Sequence, residues 1–268
     1  MKTCSIIDSL RDTFSIPEDD PLIIAGPCAV ENRVMFEETA AVLKECGVRL
    51  MRAAIFKPRT SPLSFQGIGE DGLDLIRETS RKYNLGMVSE AMEISHVGVL
   101  EKTVDMVQIG TRNMHNYSLL KALGNQSKPV LLKRGFMADS KEFFLAAEYI
   151  RQGGNTNILL CERGIRTFES ATRNTLDLNL VPITHISTDL PIIVDPSHGT
   201  GRSDIVIPMA RAAIAAGADG LMVEVHPNPA KALSDGLQSL DFSSFTRLMH
   251  EVREMWRAVH SSVLYSDR

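Results

Sequence analysis

The feature that most constrains the fold is a regular alternation of short apolar runs with longer amphipathic segments along the 268-residue chain. The short runs are rich in Val, Ile and Leu without polar alternation, which is typical of parallel strands covered on both faces. They predict eight strands, at residues 22–25, 50–54, 86–89, 106–109, 130–133, 158–161, 192–194 and 221–225. The longer segments have helical periodicity and predict helices that include residues 31–46, 72–83, 140–152, 205–216 and 243–259.

Eight strand–helix units favour an α/β fold of one kind, the closed (β/α)8 or TIM barrel, over a doubly wound sheet. A single barrel needs about 250 residues, although two smaller domains would also fit this length. The chain has no low-complexity segment and no long linker. We therefore predict one catalytic barrel domain over residues 21–262, preceded by a short N-terminal lead-in over residues 1–20.

Composition excludes several classes of function. The net charge of -4 argues against an extensive nucleic-acid surface, so no nucleic-acid partner is expected. There is no run of about 18 apolar residues that could span a membrane. The start of the chain carries acids and lacks a long apolar segment, so it does not resemble a signal peptide. The four cysteines form no CxxC pair, which predicts a reducing compartment and a cytoplasmic protein.

The segments that follow the predicted strands hold an unusual number of cations. In a barrel of this kind the active site lies at the carboxyl ends of the strands. Eight cations lie in these segments or near the ends of the strands before them: Arg52, Lys57, Arg59, Arg112, Lys133, Arg134, Arg163 and Arg166. Arg and Lys bind phosphate and carboxylate groups, so the cluster predicts a substrate with more than one anionic group. The alternative is that individual cations pair with acids such as Glu90 or Glu162.

Four potential metal ligands fall near the junction of the first, seventh and eighth strands, which are neighbours in a closed barrel. They are Cys28, His198, Glu224 and Asp235. A thiolate, an imidazole and two carboxylates suit a borderline divalent metal such as Mn, Fe, Co or Zn. His226 competes with His198 for the imidazole position, because residues 224 and 226 of one strand point to the same side. Pro227 suggests that the strand is ending there, which favours His198.

The segment DPSHGTGRSD after the seventh strand has two interpretations. It could bind an anion through backbone N–H groups at a helix N-terminus, or it could be a flexible turn. Asp195 and His198 within it favour a functional role. The chain has no GxGxxG after its first strand and no P-loop motif, so a dinucleotide- or nucleotide-binding function has no support.

Several of these segments together resemble one enzyme family. They are AGPCAVE, KPRTSPLSFQG, QIGTRNMHN, LLKRG, CERGIRTFE, DPSHGTGR and EVHPNPAKALSDG. The resemblance is to the 3-deoxy-D-arabino-heptulosonate 7-phosphate (DAHP) synthases, in the branch with a bare or simply extended barrel. It extends from about Leu22 to Phe242 and includes every strand–helix unit. It implies a metal-dependent, aldol-like condensation of phosphoenolpyruvate with erythrose 4-phosphate, as the first step of aromatic biosynthesis by the shikimate pathway.

The resemblance also implies roles for individual residues. The metal ligands would be Cys28, His198, Glu224 and Asp235. Phosphoenolpyruvate would be held by Arg52, Arg112, Lys133 and Arg163. The aldose phosphate would be held by Lys57, Arg59 and Thr60, with Lys57 also near the reacting aldehyde. Lys57, Cys28 and His198 are thus the expected catalytic residues. By resemblance, we expect a homodimer or homotetramer, and regulation would require a separate enzyme such as a chorismate mutase.

Departures from the family pattern leave the identity of the aldose open. Leu63 stands where family members commonly have Tyr, Ala53 and Ala54 where they have Gly-Gly, and His115 where Gln is common. The related 3-deoxy-D-manno-octulosonate 8-phosphate synthases typically have KANRSS in place of KPRTS, so this chain favours the four-carbon sugar. An octulosonate synthase or a paralogue that uses a modified aldose phosphate is the alternative. A sugar-phosphate-binding barrel without turnover is the non-enzymatic alternative.

Overall fold

The computed structural model describes residues 6–59 and 61–260. It contains eight parallel strands that form one closed barrel in the order β1 to β8. The strands are β1 Leu22–Gly26, β2 Leu50–Arg52, β3 Gly86–Ala91, β4 Met106–Ile109, β5 Val130–Lys133, β6 Ile158–Glu162, β7 Ile192–Val194 and β8 Gly220–Glu224. The predicted (β/α)8 barrel is confirmed, and each predicted strand differs from its observed bounds by at most two residues at either end.

The barrel closes where β1 pairs with β8, in a register that runs from Leu22 opposite Gly220 to Gly26 opposite Glu224. A Cβ atom on residue 220 would lie 2.0 Å from the carbonyl oxygen of Leu22, so only glycine allows this approach. Strand β2 is shorter than predicted because regular pairing ends at Arg52. The backbone N–H of Ala53 nevertheless donates to the carbonyl of Val88 at 2.8 Å.

Helices surround the barrel and close its amino end, and one short helix follows β7 at the carboxyl end. They are α1 Ile6–Phe14, α2 Arg33–Glu45, α3 Leu73–Tyr83, α4 Ile94–Glu101, α5 Tyr117–Gly124, α6 Ser140–Arg151, α7 Leu180–Ser187, α8 Pro196–Thr200, α9 Val206–Ala215 and α10 Phe242–His260. Local sequence defines several of their ends. A capping box of Asp139 and Glu142 starts α6, and Asn84 in a left-handed conformation ends α3. In the part of the chain described, no helix is long and apolar enough to cross a membrane.

The buried apolar side chains form two layers. The larger layer lies between the strands and the surrounding helices. The smaller layer fills the inside of the barrel and includes Leu22, Ile24, Leu50, Val88, Met106, Leu131, Leu159, Cys161, Ile193 and Met222. Ile6 and Leu10 of α1 belong to this inner layer, so the lead-in helix closes the amino end of the barrel. Any cavity inside the barrel must therefore open at the carboxyl ends of the strands.

Candidate active site

The inward-facing positions of the barrel change from apolar to polar toward its carboxyl end. Because side chains alternate along a strand, the residue two positions after an interior residue also points inward. Arg52 follows the interior Leu50 in this way, and Glu90 follows Val88. The same step places Gln108, Lys133, Arg163, Asp195 and Glu224 in one layer. A ring of polar and charged groups therefore lies directly on the apolar interior.

A cavity of about 230 Å³ opens above this ring, and its lining includes seven cations. The lining cations are Arg52, Lys57, Arg59, Arg112, Lys133, Arg163 and Arg173. Glu90, Gln108, His198 and Asp235 also line it. The cavity thus has a positive side that suits anions and an adjoining side that carries imidazole and carboxylate groups.

The four predicted metal ligands come together on that adjoining side. One ligand atom from each of Cys28, His198, Glu224 and Asp235 can be chosen so that all four lie within 4.8 Å of one another. The Cys28 thiol donates to Oδ2 of Asp235 at 2.9 Å. Nε2 of His198 lies 3.3 Å from Oε1 of Glu224. Three of the four residues are buried and Asp235 is half-buried, so the group could hold one ion largely shielded from water.

The protonation of this cluster fits a site for a metal cation. Burial, reinforced by Glu224, raises the pKa of the Cys28 thiol to about 12, so without a cation the thiol keeps its proton. Burial alone would raise the pKa of Asp235, but His198 and the hydrogen bond from the Cys28 thiol hold it well below its usual range. A divalent cation among these ligands would favour the thiolate and displace the thiol proton, as metal binding to cysteine requires.

Neighbouring side chains fix the candidate ligand Glu224 at the end of β8. Nη1 of Arg52 donates to its Oε1 at 2.7 Å, and Nε2 of Gln238 donates to its Oε2 at 2.6 Å. The backbone N–H of Glu224 donates to the hydroxyl of Ser197 in α8 at 3.0 Å. Both carboxylate oxygens thus have partners, which restricts rotation of the side chain.

The short helix α8 supplies His198. Asp195 caps its start, because Oδ1 of Asp195 accepts from the backbone N–H of His198 at 2.9 Å. The first part of the DPSHGTGRSD segment is therefore a buried helical turn. For these residues the interpretation as a flexible turn is wrong. Burial lowers the pKa of His198 from 6.5 to about 4, although Asp195 and Glu224 act in the opposite direction. The imidazole is consequently neutral at pH 7, as a metal ligand must be.

Six of the eight predicted cations line the cavity, and two do not. Arg134 is buried elsewhere, where its guanidinium pairs with Glu162 at 3.0 Å and with Asp177 at 2.9 Å. It follows the inward-facing Lys133 by one position and therefore points to the opposite face of the sheet. Arg166 does not line the cavity, and its guanidinium lies 4.4 Å from the ring centre of Phe136. For Arg134 the alternative of a structural ion pair is the correct interpretation.

Two of the lining cations are buried with few hydrogen-bond or ion-pair partners among the described residues. The Arg163 side chain lies over the Phe136 ring at 5.0 Å, and its Nε has no hydrogen-bond acceptor among the described residues. Burial lowers the pKa of its guanidinium, despite the opposing effect of Asp195. Burial also acts to lower the pKa of Lys57, but Cys28 and Glu90 raise it above its usual value. Lys57 is therefore charged at neutral pH, so both side chains can offer positive charge to an anion in the cavity.

The KPRTSPLSFQG segment forms a closed loop over one side of the cavity. The backbone N–H of Lys57 donates to the carbonyl of Gln66 at 2.9 Å, which holds the two ends of the loop together. Gly67 has a φ of 95°, and a Cβ there would lie 2.0 Å from the carbonyl oxygen of Ile55. Nη1 of Arg59 donates to the hydroxyl of Ser234 at 2.5 Å, which connects the loop to the segment that carries Asp235. Thr60, also predicted to bind substrate, lies outside the described residues.

Arg173 and Gln238 belong to the site but were not predicted from the sequence. Nη1 of Arg173 donates to Oδ1 of Asp235 at 3.2 Å and to Oε1 of Gln238 at 2.8 Å. Asp235 itself has a φ of 53°, an uncommon conformation for a residue other than glycine. These contacts hold the fourth ligand of the cluster in place. Arg173 lies four residues beyond the CERGIRTFE segment, so its nearness to that segment was the one signal in the sequence that could have indicated it.

The structure also separates His226 and Cys161 from the cluster. Nε2 of His226 lies 3.5 Å from a carboxylate oxygen of Glu31, and His226 is not part of the four-residue group. Cys161 is fully buried in the apolar layer inside the barrel. These placements favour His198 over His226 and give Cys161 a packing role.

Acidification is expected to destabilise the metal-free protein between pH 6.5 and about pH 4. In this range the unfolded chain protonates a histidine that stays neutral in the folded protein, because folding lowers the pKa of His198 to about 4. The free energy of unfolding is therefore highest above pH 6.5 and falls as the pH drops through this window. Urea unfolding at pH 7 and pH 5 measures the effect. His198→Gln should show a weaker pH dependence, and an identical dependence in both proteins would contradict this origin.

Comparison with known proteins identifies relatives of this barrel. Residues 6–261 match the model of the DAHP synthetase I family. A phospho-2-dehydro-3-deoxyheptonate aldolase from Thermotoga maritima is 57% identical over 233 residues, which is 87% of this chain and 69% of the relative. A 2-dehydro-3-deoxyphosphooctonate aldolase from Syntrophobacter fumaroxidans is 31% identical over 90% of this chain and 88% of its own length.

Solved structures agree with these sequence matches. The crystal structure of the Thermotoga maritima aldolase, described as a DAHP synthase, superposes with a TM-score of 0.87 at 55% identity, over 90% of this chain and 71% of that one. A truncated form of the synthase from the same organism gives a TM-score of 0.84 at 51% identity, over 90% of this chain and 88% of that one. The sequence resemblance is thereby confirmed, and the chain belongs to the DAHP synthetase I family.

Proposed function

We propose that this protein condenses phosphoenolpyruvate with erythrose 4-phosphate to give DAHP and inorganic phosphate, the first step of the shikimate pathway. The observation that carries the proposal is a group of four metal-ligand side chains beside a cavity lined by seven cations. Two phosphorylated substrates require such a concentration of positive charge. The 57% identical relative from Thermotoga maritima has a name that describes this chemistry.

The metal would be held by Cys28, His198, Glu224 and Asp235. This donor set suits a divalent ion such as Mn, Fe, Co or Zn, since soft thiolate and harder carboxylate ligands are combined. When bound, such an ion supplies a Lewis acid that can polarise the aldehyde of the second substrate. The protein contributes the fixed positions of the ligands, which are restrained by Arg52, Arg173 and Gln238.

Phosphoenolpyruvate would be bound by Arg52, Arg112, Lys133 and Arg163. All four line the cavity, and Arg52, Lys133 and Arg163 are no more than 3% exposed. This substrate carries a carboxylate and a phosphate, and guanidinium groups match the oxygens of both. Arg52 already pairs with Glu224, so it connects the anion-binding side with the metal ligands.

The aldose phosphate would be bound by the loop that carries Lys57, Arg59 and Thr60. Lys57 is the most buried cation of that loop, with 6% exposure. Cys28 and Glu224 both raise its pKa, which indicates that its ammonium group lies near the metal-ligand side. Its ammonium group can donate to the aldehyde oxygen as negative charge develops there during carbon–carbon bond formation. Lys57 thus acts as a catalytic residue as well as a substrate-binding one.

The reaction follows from this arrangement. Carbon 3 of phosphoenolpyruvate forms a bond to the aldehyde carbon of the sugar, and the aldehyde oxygen takes up a proton. Water adds to carbon 2, which has become electron-poor, and loses one proton. The phosphate then leaves with its bridging oxygen while the new hydroxyl loses its hydrogen, which forms the ketone at carbon 2. Glu90 lines the cavity and accepts a hydrogen bond from Gln108 at 3.0 Å, so its carboxylate is placed to take a proton from that water. Opposed positive side chains hold both anions at attack distance and offset their repulsion.

The aldose is best tested by direct competition between two substrates. The purified, Mn-loaded protein is assayed with phosphoenolpyruvate and either erythrose 4-phosphate or arabinose 5-phosphate, with phosphate release as the measurement. We expect kcat/KM for erythrose 4-phosphate to exceed that for arabinose 5-phosphate by at least about 100-fold, the range that differential pocket contacts supply. The reverse preference would make the protein an octulosonate synthase, the class of its 31% identical relative. Turnover of neither sugar would indicate a modified aldose phosphate or a binding protein.

The proposal extends to organisation and partners. Residues 21–262 would form the catalytic domain and residues 1–20 the lead-in, in which α1 packs against the inner layer of the barrel. We also propose a cytoplasmic homodimer or homotetramer and control by a separate enzyme such as a chorismate mutase. Large apolar side chains exposed in the segments after β2, β6 and β8 support a protein contact at the carboxyl end of the barrel, and Leu63, Phe168 and Leu237 are each at least 87% exposed.

A further inference from the structure

We infer that Asp195 is a positioning residue that connects the metal-binding and anion-binding sides of the site through one carboxylate. The inference rests on the proposed function, because it assigns a role toward the metal and toward phosphoenolpyruvate. Asp195 is the inward-facing residue directly after β7 and has 0% exposure. It is neither one of the four ligands nor a lining residue of the cavity.

The carboxylate of Asp195 has three protein donors, two of them on residue 198. Its Oδ1 accepts from the backbone N–H of His198 at 2.9 Å, and its Oδ2 accepts from Nδ1 of the same imidazole at 2.7 Å. The ammonium group of Lys133 donates to that same Oδ2. A single oxygen therefore holds one side chain from the metal side and one from the anion side.

The contact with the imidazole selects its tautomer. Both ring nitrogens face a carboxylate, and a carboxylate can only accept. Nδ1 lies 2.7 Å from Asp195, whereas Nε2 lies 3.3 Å from an oxygen of Glu224 that already accepts from Arg52, so the hydrogen of the neutral ring belongs on Nδ1. Nε2 is then left with its lone pair, and this is the nitrogen that lies 3.3 Å from Oε1 of Glu224. Metal-bound histidines commonly depend on such a carboxylate partner for ring orientation and basicity. Asp195 thus makes Nε2 available at the centre of the ligand cluster.

The contact with Lys133 fixes a side chain on the anion-binding side of the site. Lys133 is 3% exposed and lines the cavity, so its long side chain needs a fixed partner to keep the ammonium group in one place. Because one Oδ2 atom serves both residues, a shift of the carboxylate moves the imidazole and the ammonium group together. A role limited to capping α8 would require only Oδ1.

Asp195→Asn is the variant that separates these roles. The amide keeps one oxygen to cap α8, but its NH2 group would face Nδ1 of His198 and the ammonium group of Lys133. We expect the ring hydrogen to move to Nε2, which removes the lone pair from the cluster. The dissociation constant for Co2+, measured by competition with a chromophoric chelator, should rise about 10- to 100-fold. The dissociation constant for phosphoenolpyruvate, measured by calorimetry, should also rise.

Thr200→Val is the matched control on the same helix. The Thr200 hydroxyl donates to the carbonyl of Pro196 at 2.8 Å, so its loss weakens α8 without changing the contacts of Asp195. This variant should lower the melting temperature and leave the Co2+ and phosphoenolpyruvate dissociation constants unchanged. If Asp195→Asn behaves in the same way, with lowered melting temperature and unchanged binding, Asp195 only stabilises the helix and the inference is wrong.

A measurement on the unmodified protein tests the inference even if the Asn variant does not fold. Nitrogen-15 NMR of the metal-free protein, with His198→Gln used to assign the signal, should show the His198 hydrogen on Nδ1. A hydrogen on Nε2 would overturn the inference outright. Neither substrate nor turnover is needed for this reading. Failure of the proposed condensation would therefore leave the tautomer result standing, and the two failures can be told apart.

Discussion

Lys57→Ala is expected to lower kcat by about 100- to 1000-fold, the range seen when one preorganised donor to a developing negative charge is removed. The ammonium group of Lys57 lines the cavity between the cation-rich loop and the metal-ligand side, and it is almost fully shielded from water. Shielding strengthens its interaction with a developing alkoxide, and alanine offers no substitute donor. Steady-state rates with saturating phosphoenolpyruvate and erythrose 4-phosphate measure the effect.

Lys102→Ala serves as the control for this variant. Lys102 is an exposed lysine that ends α4, and it is absent from the cavity lining. Its replacement should leave kcat within about twofold of the unmodified protein, as is usual for surface substitutions. If Lys57→Ala also keeps a near-normal kcat, Lys57 has no role at the aldehyde.

Removal of the metal is expected to have an equally large effect. Dialysis against EDTA should lower turnover by at least about 1000-fold, because loss of a Lewis acid removes several kcal/mol of transition-state stabilisation. Addition of Mn2+ should restore the rate. Cys28→Ala should not recover at the Mn2+ concentration that saturates the unmodified protein, since one of the four ligands is missing. Metal content by mass spectrometry, measured beside the rate, confirms that the ion has left and returned.

Cys46→Ala distinguishes loss of a ligand from loss of a thiol. Cys46 lies on the outside of the barrel at the end of α2, where its sulfur is 3.6 Å from the Thr246 hydroxyl. This variant should lose activity in EDTA and recover it with Mn2+ as the unmodified protein does. Full turnover in a sample shown to contain no metal would remove the metal from the mechanism.

Much of the barrel could be predicted from the sequence because its strands are buried on both faces. Val-, Ile- and Leu-rich runs located all eight strands, and the rule that sites lie at their carboxyl ends located the cavity. The alternation of side chains along each strand also explains which cations face the cavity. It places Arg52 above Leu50 and Lys133 above Leu131, and it turns Arg134 away from the cavity. Applied strictly, this alternation would have separated Arg134 from the other cations.

The contacts that restrain the ligands could not be predicted in the same way. Arg173 reaches Asp235 across 62 positions of sequence, and Gln238 reaches Glu224 from within the loop after β8. These contacts depend on loop conformations, including the left-handed backbone at Asp235, that no local pattern encodes. The pairing of Asp195 with both His198 and Lys133 likewise requires β5 and β7 to be placed in three dimensions. Residue types could suggest the ligands, but not the side chains that hold them.

Because α1 closes the amino end of the barrel, we expect molecules to enter and leave the cavity in a fixed order. With that end sealed, every molecule must leave by the opening through which it entered. Arg52, Lys133 and Arg163 lie deep in this space, whereas Arg59 lies nearer its opening. A molecule held by the outer group blocks the path to and from the inner ones. From the depth of the cavity we expect the inner reactant to bind first and to be unable to leave while the second is bound.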